Sequence, residues 1–159
     1  ILMHAVAGYA FGNPNDVIEM IRHPLSVLGL SDAGAHCSQV CDGGIHTYVL
    51  TNWSRDLDSS DPLHLPLEWL VKKLTADNAK LYGLNDRGII EPGKRADINI
   101  IDLDSLKIGD PKMVFDLPAE QPRYLADAEG YIGTYVKGEL IQANGELTDA
   151  RPGAVIRPN

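Results

Sequence analysis

The chain has 159 residues, of which 44% are apolar and 23% charged, and its net charge is −8 at pH 7. This acidic balance argues against nucleic acid or an anionic membrane as a partner, and no stretch approaches the roughly 18–20 apolar residues of a membrane span. Its two cysteines are too few for a disulfide framework and predict a reduced, cytoplasmic protein. The length suffices for one ordinary domain or two small ones. The sequence starts at Ile1, inside an apolar segment and without an initiator Met, which favours a piece of a larger protein.

The first third of the sequence alternates apolar segments with loops and one helix. Residues 1–12 are apolar and predict the end of a buried strand followed by a loop. Asn13 offers a helix N-cap before Pro14, and a short helix with an apolar stripe follows. Val27–Leu30 is an apolar run without a polar face, which predicts a strand buried on both sides, as in a parallel sheet. The Gly-rich stretch 31–44 predicts a loop.

The middle of the sequence is predicted to be helical. Residues 45–57 indicate a weak helix, and the Pro- and Asp-rich stretch 58–66 indicates a loop. Apolar residues then recur at i, i+3, i+4 and i+7 across 67–74, which is typical of an amphipathic helix. A second short helix is predicted over 76–82, ending at Gly83 as a left-handed cap.

Strands and tight turns dominate the sequence after Arg87. The predicted strands are 88–90, 96–101, 131–136 and 139–143. Lys-Gly and Asn-Gly pairs at 137–138 and 144–145 indicate hairpin turns beside the last of these strands. Residues 102–130 show little periodicity. Because the chain is helix-rich up to Arg87 and strand-rich after it, we predict a domain boundary at 87/88.

Several stretches of the sequence resemble one enzyme family. Leu30–His36 resembles the end of the eighth barrel strand in amidohydrolases of the D-aminoacylase (N-acyl-D-amino-acid deacylase) type. Leu65–Trp69 and Lys73–Thr75 resemble the helix that follows that site in the same group. Gly88–Asp97 is similar to the stretch where amidohydrolases leave the barrel and enter a small β-sandwich domain, and Arg151–Gly153 resembles the C-terminal tail. The resemblance covers nearly the whole chain and points to the C-terminal portion of such an enzyme.

The resemblance implies a fold of the class α/β plus β. Residues 1–87 would be the last part of a (β/α)8 TIM barrel, with a barrel strand, the active-site loop and helices, and residues 88–159 a segment of the small β-sandwich domain. It also implies a metal-dependent hydrolase of carbon–nitrogen bonds in non-peptide amides, with one or two divalent ions, often zinc, and a small N-acyl amino acid as substrate. The family's other metal ligands would lie upstream of Ile1, so the isolated chain is expected to be inactive. The alternative is a non-catalytic structural or interaction module, which could form a homo-oligomer through an exposed barrel face.

Asp32 is the main candidate catalytic residue. In the resemblance it corresponds to the strand-eight aspartate, which contacts the metal, takes a proton from the attacking water and hands it to the leaving amine. A carboxylate suits both tasks, since it can touch a cation and still accept a proton. Ser31 and His36 are the candidate substrate contacts. From the residues alone, Asp32 could instead cap a helix or turn, and Ser31 and His36 could be polar loop residues.

A structural zinc site is a second hypothesis for the same loop. Cys37 and Cys41 have a Cys-x₃-Cys spacing that structural zinc tolerates, with His36 and His46 nearby. However, no second pair with regular spacing follows, and His36 directly precedes Cys37, which makes shared coordination awkward. Free, buried thiols are therefore favoured. The remaining histidines are interpreted as core, helix-end or loop residues: His4, His23 and His64.

Overall fold

A computed structural model describes residues 12–156 of the chain. These residues form helices in the first half and antiparallel strands in the second, a small α+β arrangement. No barrel and no parallel strand pair occurs among residues 12–156, which corrects the barrel expected for this part of the chain. Parallel pairing needs a second strand at the end of a long crossover, and the segment at 27–30 has no strand partner within the described residues.

The helices of the described residues follow the apolar periodicity of the sequence. They are α1 (Asn15–Arg22), α2 (Ile45–Leu50), α3 (Leu67–Leu74) and α4 (Ala76–Leu81), with a π-helical segment at Thr51–Arg55 and a 3-10 turn at Pro118–Glu120. Pro14, and not the predicted Asn13, is the N-cap of α1, which begins one residue later than expected. Asn13 lies just before it and accepts the Asn15 N–H at 3.0 Å on its Oδ1. Gly83 follows α4 with a φ of 68°, the left-handed conformation predicted for it. None of the helices within 12–156 is long and apolar enough to cross a membrane.

The strands of the described residues pair only in antiparallel fashion. They are β1 (Ile98–Ile101), β2 (Lys107–Ile108), β3 (Lys112–Leu117), β4 (Gln121–Leu125), β5 (Ala128–Glu129), β6 (Tyr131–Val136), β7 (Glu139–Ala143) and β8 (Glu146–Leu147). One sheet has the order β1-β6-β7-β8, while β2 pairs with β5 and β3 pairs with β4. The sequence predicted β1, β6 and β7. It did not predict β2 to β5, which occupy the stretch 102–130.

The two predicted hairpin turns are confirmed. Lys137 and Gly138 join β6 to β7 with φ values of 55° and 80°, and Asn144 and Gly145 join β7 to β8 with φ values of 47° and 88°. Positive φ at both central residues is what a type I′ turn requires, and the twist of this turn matches the twist of the flanking strands. Local turn chemistry therefore fixes how β6, β7 and β8 begin to pair, whereas the pairing of β1 with β6 is a long-range contact.

One apolar core joins the helical and the strand-rich halves. Its buried residues are Ile18, Val49, Leu50, Trp53, Leu65, Leu70 and Leu106. Leu106 is the member that comes from the strand-rich half, and its side chain is 0% exposed. Arg55 reinforces the join, because its Nη1 donates to the carbonyls of Leu103 and Leu106 at 2.7 and 2.5 Å. The strand-rich half is thus packed on the helices, and the domain boundary at 87/88 stays a prediction.

The prediction of a doubly buried strand at Val27–Leu30 is wrong. This segment has no regular secondary structure, and Leu30 is 92% exposed. An apolar run is buried only where other elements cover it. Of the large side chains in this run, only Leu28 packs against the core formed by residues 12–156.

The prediction of a strand at 88–90 is also wrong. These residues form bends between α4 and β1, and Gly88 has a φ of 88°. This left-handed value is incompatible with the backbone of a regular strand. The strand end predicted within 1–12, and His4 with it, lie outside the described residues, apart from Gly12.

Candidate active site around Asp32

Two helical side chains hold the segment that leads into the candidate catalytic loop. Residues 26–31 have no regular secondary structure. Lys73 on α3 donates from Nζ to the Ser26 carbonyl at 2.6 Å, and Asn78 on α4 donates from Nδ2 to the Leu28 carbonyl at 2.8 Å. These bonds satisfy backbone carbonyls that a neighbouring strand would otherwise bind. The helices, rather than a sheet, therefore position the start of the loop.

Lys73 is a buried lysine at the centre of this arrangement. Its side chain is 7% exposed, and its Nζ lies 5.3 Å from the centroid of the Trp69 ring. No carboxylate pairs with Lys73 among the described residues. The Ser26 carbonyl and the face of the Trp69 ring together compensate the ammonium group for the hydration that it loses on burial.

The loop 31–44 closes on itself at Asp32. The backbone N–H of Asp32 donates to Oδ2 of Asp42 at 3.1 Å. Ser31 Oγ accepts the N–H of Ala33 at 3.2 Å, so this hydroxyl stabilises a turn at the start of the loop. The role of Ser31 as a substrate contact stays a prediction.

Further contacts fix the loop between α2 and the strands. The Ala35 N–H donates to the Asp32 carbonyl at 3.0 Å, and the Tyr124 N–H on β4 donates to the Cys37 carbonyl at 2.8 Å. At the end of the loop, a Cβ added to Gly44 would lie 2.8 Å from the Cδ1 of Ile108. A side chain at position 44 would therefore require the Ile108 side chain to shift where the loop enters α2 against β2.

The Asp32 carboxylate is free to react. Its side chain is exposed, and within residues 12–156 it forms no hydrogen bond or ion pair. Both oxygens are therefore available to accept a proton or a hydrogen bond from a ligand. Its roles in catalysis and metal contact stay predictions.

His36 lies on the same loop but is not joined to Asp32. It is exposed, and its φ of 45° places it in the left-handed region. Its carbonyl accepts the N–H groups of Gln39 and Val40 at 2.7 and 3.0 Å, while no hydrogen bond between His36 and Asp32 occurs in the described part of the chain. The role of His36 as a substrate contact stays a prediction.

Asp42 is the residue of this loop that sequence reasoning missed. Its Oδ2 binds the Asp32 N–H across a separation of 10 residues, and its Oδ1 is buried without a hydrogen-bond partner. Burial raises the pKa of the neighbouring Cys41 thiol above its ordinary value of 9.0, and the charge of Asp42 raises it further. The sequence signal was partial, because an Asp before two glycines indicates the end of a loop but not a bond to its start.

The described residues do not assemble a metal centre. No group of three or more His, Cys, Asp or Glu side chains within 12–156 is placed to hold an ion. Cys37 and Cys41 are free, half-buried thiols, and His36 and His46 do not join them in such a group. Because a zinc site takes about three or four protein ligands, Asp32 and its neighbours do not fit a complete metal site by themselves.

Similarity to known proteins extends over nearly the whole chain. An N-acyl-D-aspartate deacylase of Alcaligenes xylosoxydans xylosoxydans is 30% identical over 162 aligned positions, which cover 99% of this chain and 29% of that protein. Uncharacterized proteins of Mycobacterium tuberculosis and Mycobacterium bovis are 32% identical over 89 residues, or 56% of this chain and 14% of theirs. The chain thus spans less than a third of the length of these relatives. No solved structure matches the chain significantly.

The family of the chain is shown by a match to a family model. The model of the amidohydrolase family matches residues 4–142, which include the loop of Asp32, the strands β1 to β6 and most of β7. This match confirms the resemblance carried by Leu30–His36 and Gly88–Asp97: the chain belongs to the amidohydrolase family.

Proposed function

We propose that this chain is the C-terminal portion of a metal-dependent hydrolase that cleaves carbon–nitrogen bonds in non-peptide amides, most like an N-acyl-D-amino-acid deacylase. The observation that carries the proposal is the free, exposed carboxylate of Asp32 on a loop whose backbone is bonded at both ends. The 30% identity to an N-acyl-D-aspartate deacylase supports a small N-acyl amino acid as substrate. The proposal includes a cytoplasmic protein that binds neither nucleic acid nor membrane.

In this proposal Asp32 moves the proton of the reaction. Its carboxylate accepts a proton from water while the water oxygen forms a bond to the amide carbon. The same proton passes to the amide nitrogen as the carbon–nitrogen bond breaks, which releases a carboxylic acid and an amine. Ser31 and His36 contact the substrate beside it.

The metal requirement needs residues beyond those described. A divalent ion, with zinc as the first candidate, would take Asp32 as one ligand, and the remaining ligands would come from outside residues 12–156. Since a catalytic zinc takes about three protein ligands, we expect the isolated chain to be inactive.

A non-catalytic interaction module is the second candidate function. Large apolar side chains are exposed in the irregular segments, and Leu30 and Ile90 are 92% and 88% exposed. Exposed apolar surface of this kind favours packing against further protein, whether the rest of a longer chain or a second copy in a homo-oligomer. Removal of the Asp32 carboxylate distinguishes the two candidates. It abolishes the activity of an enzyme, whereas the binding of a module to its partner does not depend on it.

The test is Asp32→Asn in the full-length protein that carries this segment. Asn keeps the size of the side chain and removes the proton acceptor, so kcat is expected to fall by about 10²–10⁴, while the exposed position leaves folding unchanged. Asp110→Asn is the matched control, since Asp110 is also exposed and lies outside the loop. We expect His36→Ala to raise KM more than it lowers kcat, and Ser31→Ala to have the smallest effect. Wild-type kcat in Asp32→Asn at equal metal content would refute the proposed role of this carboxylate in catalysis.

A further inference from the structure

The bond between Asp42 and Asp32 connects the end of the loop to its start. Asp42 Oδ2 accepts the Asp32 N–H at 3.1 Å. Asp42 lies just before α2, and the Ile45 N–H donates to the Asp42 carbonyl at 3.1 Å. Further along α2, Val49 and Leu50 are part of the buried core. The backbone of Asp32 is thereby tied to a helix that the core holds in place.

The Asp42 carboxylate is half-buried. Its Oδ1 is buried, while its Oδ2 forms the exposed bond to the Asp32 N–H. The burial of one oxygen limits the rotation of the carboxylate and keeps the other oxygen aimed at this N–H. The side chain of Asp32, in contrast, has no partner among the described residues, so its orientation depends on its backbone.

The loop between these two residues is strained at His36, whose φ is 45°. Gly34, at 95°, adopts positive φ without such strain. A residue other than glycine adopts the left-handed region only at an energetic cost, and such a conformation persists where the surrounding contacts enforce it. The Asp42 side chain supplies one contact of this loop, at the backbone N–H of the candidate catalytic residue.

We propose that Asp42 is a positioning residue that fixes the backbone of Asp32 and thereby directs the Asp32 carboxylate toward the substrate amide. This inference rests on the proposed function and deepens it, because it assigns a role to a residue that touches no reacting atom. Loss of the bond lets the start of the loop move, and a displacement of about 1 Å at a reacting group can lower the rate about 10²-fold.

The experiment compares four variants of the full-length protein at equal metal content. Asp42→Ala removes the acceptor, whereas Asp42→Asn retains an amide oxygen that can accept the Asp32 N–H. Asp61→Ala is the matched control, since Asp61 Oδ1 accepts the Leu63 N–H at 2.8 Å in a turn outside the loop. Asp32→Asn reports on the proposed function itself. Where Asp42→Ala does not fold, Asp42→Leu takes its place, because it removes the acceptor without opening a cavity.

We expect Asp42→Ala to lower kcat by about 10–100-fold with little change in KM, and Asp42→Asn and Asp61→Ala to keep kcat near that of the wild type. In the 159-residue chain, hydrogen exchange at the Asp32 amide should accelerate in Asp42→Ala and not in Asp61→Ala. Unchanged kcat in Asp42→Ala, with Asp32→Asn inactive, would overturn this inference and leave the proposed function standing. Equal loss of kcat in Asp42→Asn and Asp42→Ala, with unchanged exchange, would also overturn it. Unchanged kcat in Asp32→Asn would overturn the proposed function and this inference together.

Discussion

Leu106 is the residue by which the strand-rich half enters the core, and its truncation tests whether the two halves fold as one unit. Its side chain is 0% exposed and packs in a cluster whose other buried members belong to the helical half. Leu106→Ala removes three carbon groups, which at about 0.8 kcal/mol for each buried methylene lowers the free energy of unfolding by about 2.4 kcal/mol. The cavity left behind raises the total to about 3–5 kcal/mol.

The assay is urea unfolding of the 159-residue chain, followed by tryptophan fluorescence. Both tryptophans, Trp53 and Trp69, lie in the helical half, so a shared core moves their transition to lower urea although the substitution is in the other half. A loss of about 3–5 kcal/mol is a large part of the roughly 5–15 kcal/mol that stabilises a typical domain. Leu147→Ala is the matched control, because Leu147 is 75% exposed, and its effect should stay within about 0.5 kcal/mol. A fluorescence transition that moves by less than about 1 kcal/mol in Leu106→Ala would refute the shared core.

Two further predictions concern the strand-rich half. Gly130 has a φ of 92°, and an added Cβ would lie 2.6 Å from the Leu106 Cα, whereas Gly145, at 88°, has open space around it. Gly130→Ala should therefore lower the free energy of unfolding by more than about 2 kcal/mol and Gly145→Ala by about 1 kcal/mol, and equal losses in urea unfolding would contradict the close approach at Gly130. A hydrogen bond from the Arg123 guanidinium holds the pKa of Asp116 below its ordinary value of 3.8. Because this pKa is lower in the folded state, the pair stabilises the fold above pH 3.8 and loses its effect as the pH falls through the folded pKa. Asp116→Asn should thus flatten the stability profile below that pH, and an NMR titration of Asp116 at its ordinary pKa would exclude the ion pair.

Local signals in the sequence were sufficient for the helices and the last hairpins. The helix α3 follows from apolar residues that recur once per turn over Leu67–Leu74. The turns at 137–138 and 144–145 follow from residues that tolerate positive φ. In both cases the physical cause acts within a few residues, so a single sequence contains it. The strands between 102 and 130 gave no such signal. β2 and β5 contribute two residues each to their pair, too few to show an alternation. β3 and β4 are longer, but exposed and half-buried positions do not alternate along them.

The features of the candidate site also divide into those that the sequence predicts and those that depend on the tertiary structure. The sequence by itself determined the family and named Asp32, because the residues around it lie in short, contiguous stretches that can be compared with other proteins. Only the tertiary structure decided that Lys73 and Asn78 hold the segment before Asp32, and that Asp42 binds its backbone. It also decided that Leu30 is exposed, although the segment Val27–Leu30 is apolar enough to form a buried strand. These properties depend on which distant parts of the chain come into contact, and a contact between residues 10 to 50 positions apart leaves no period or spacing in one sequence from which it could be predicted.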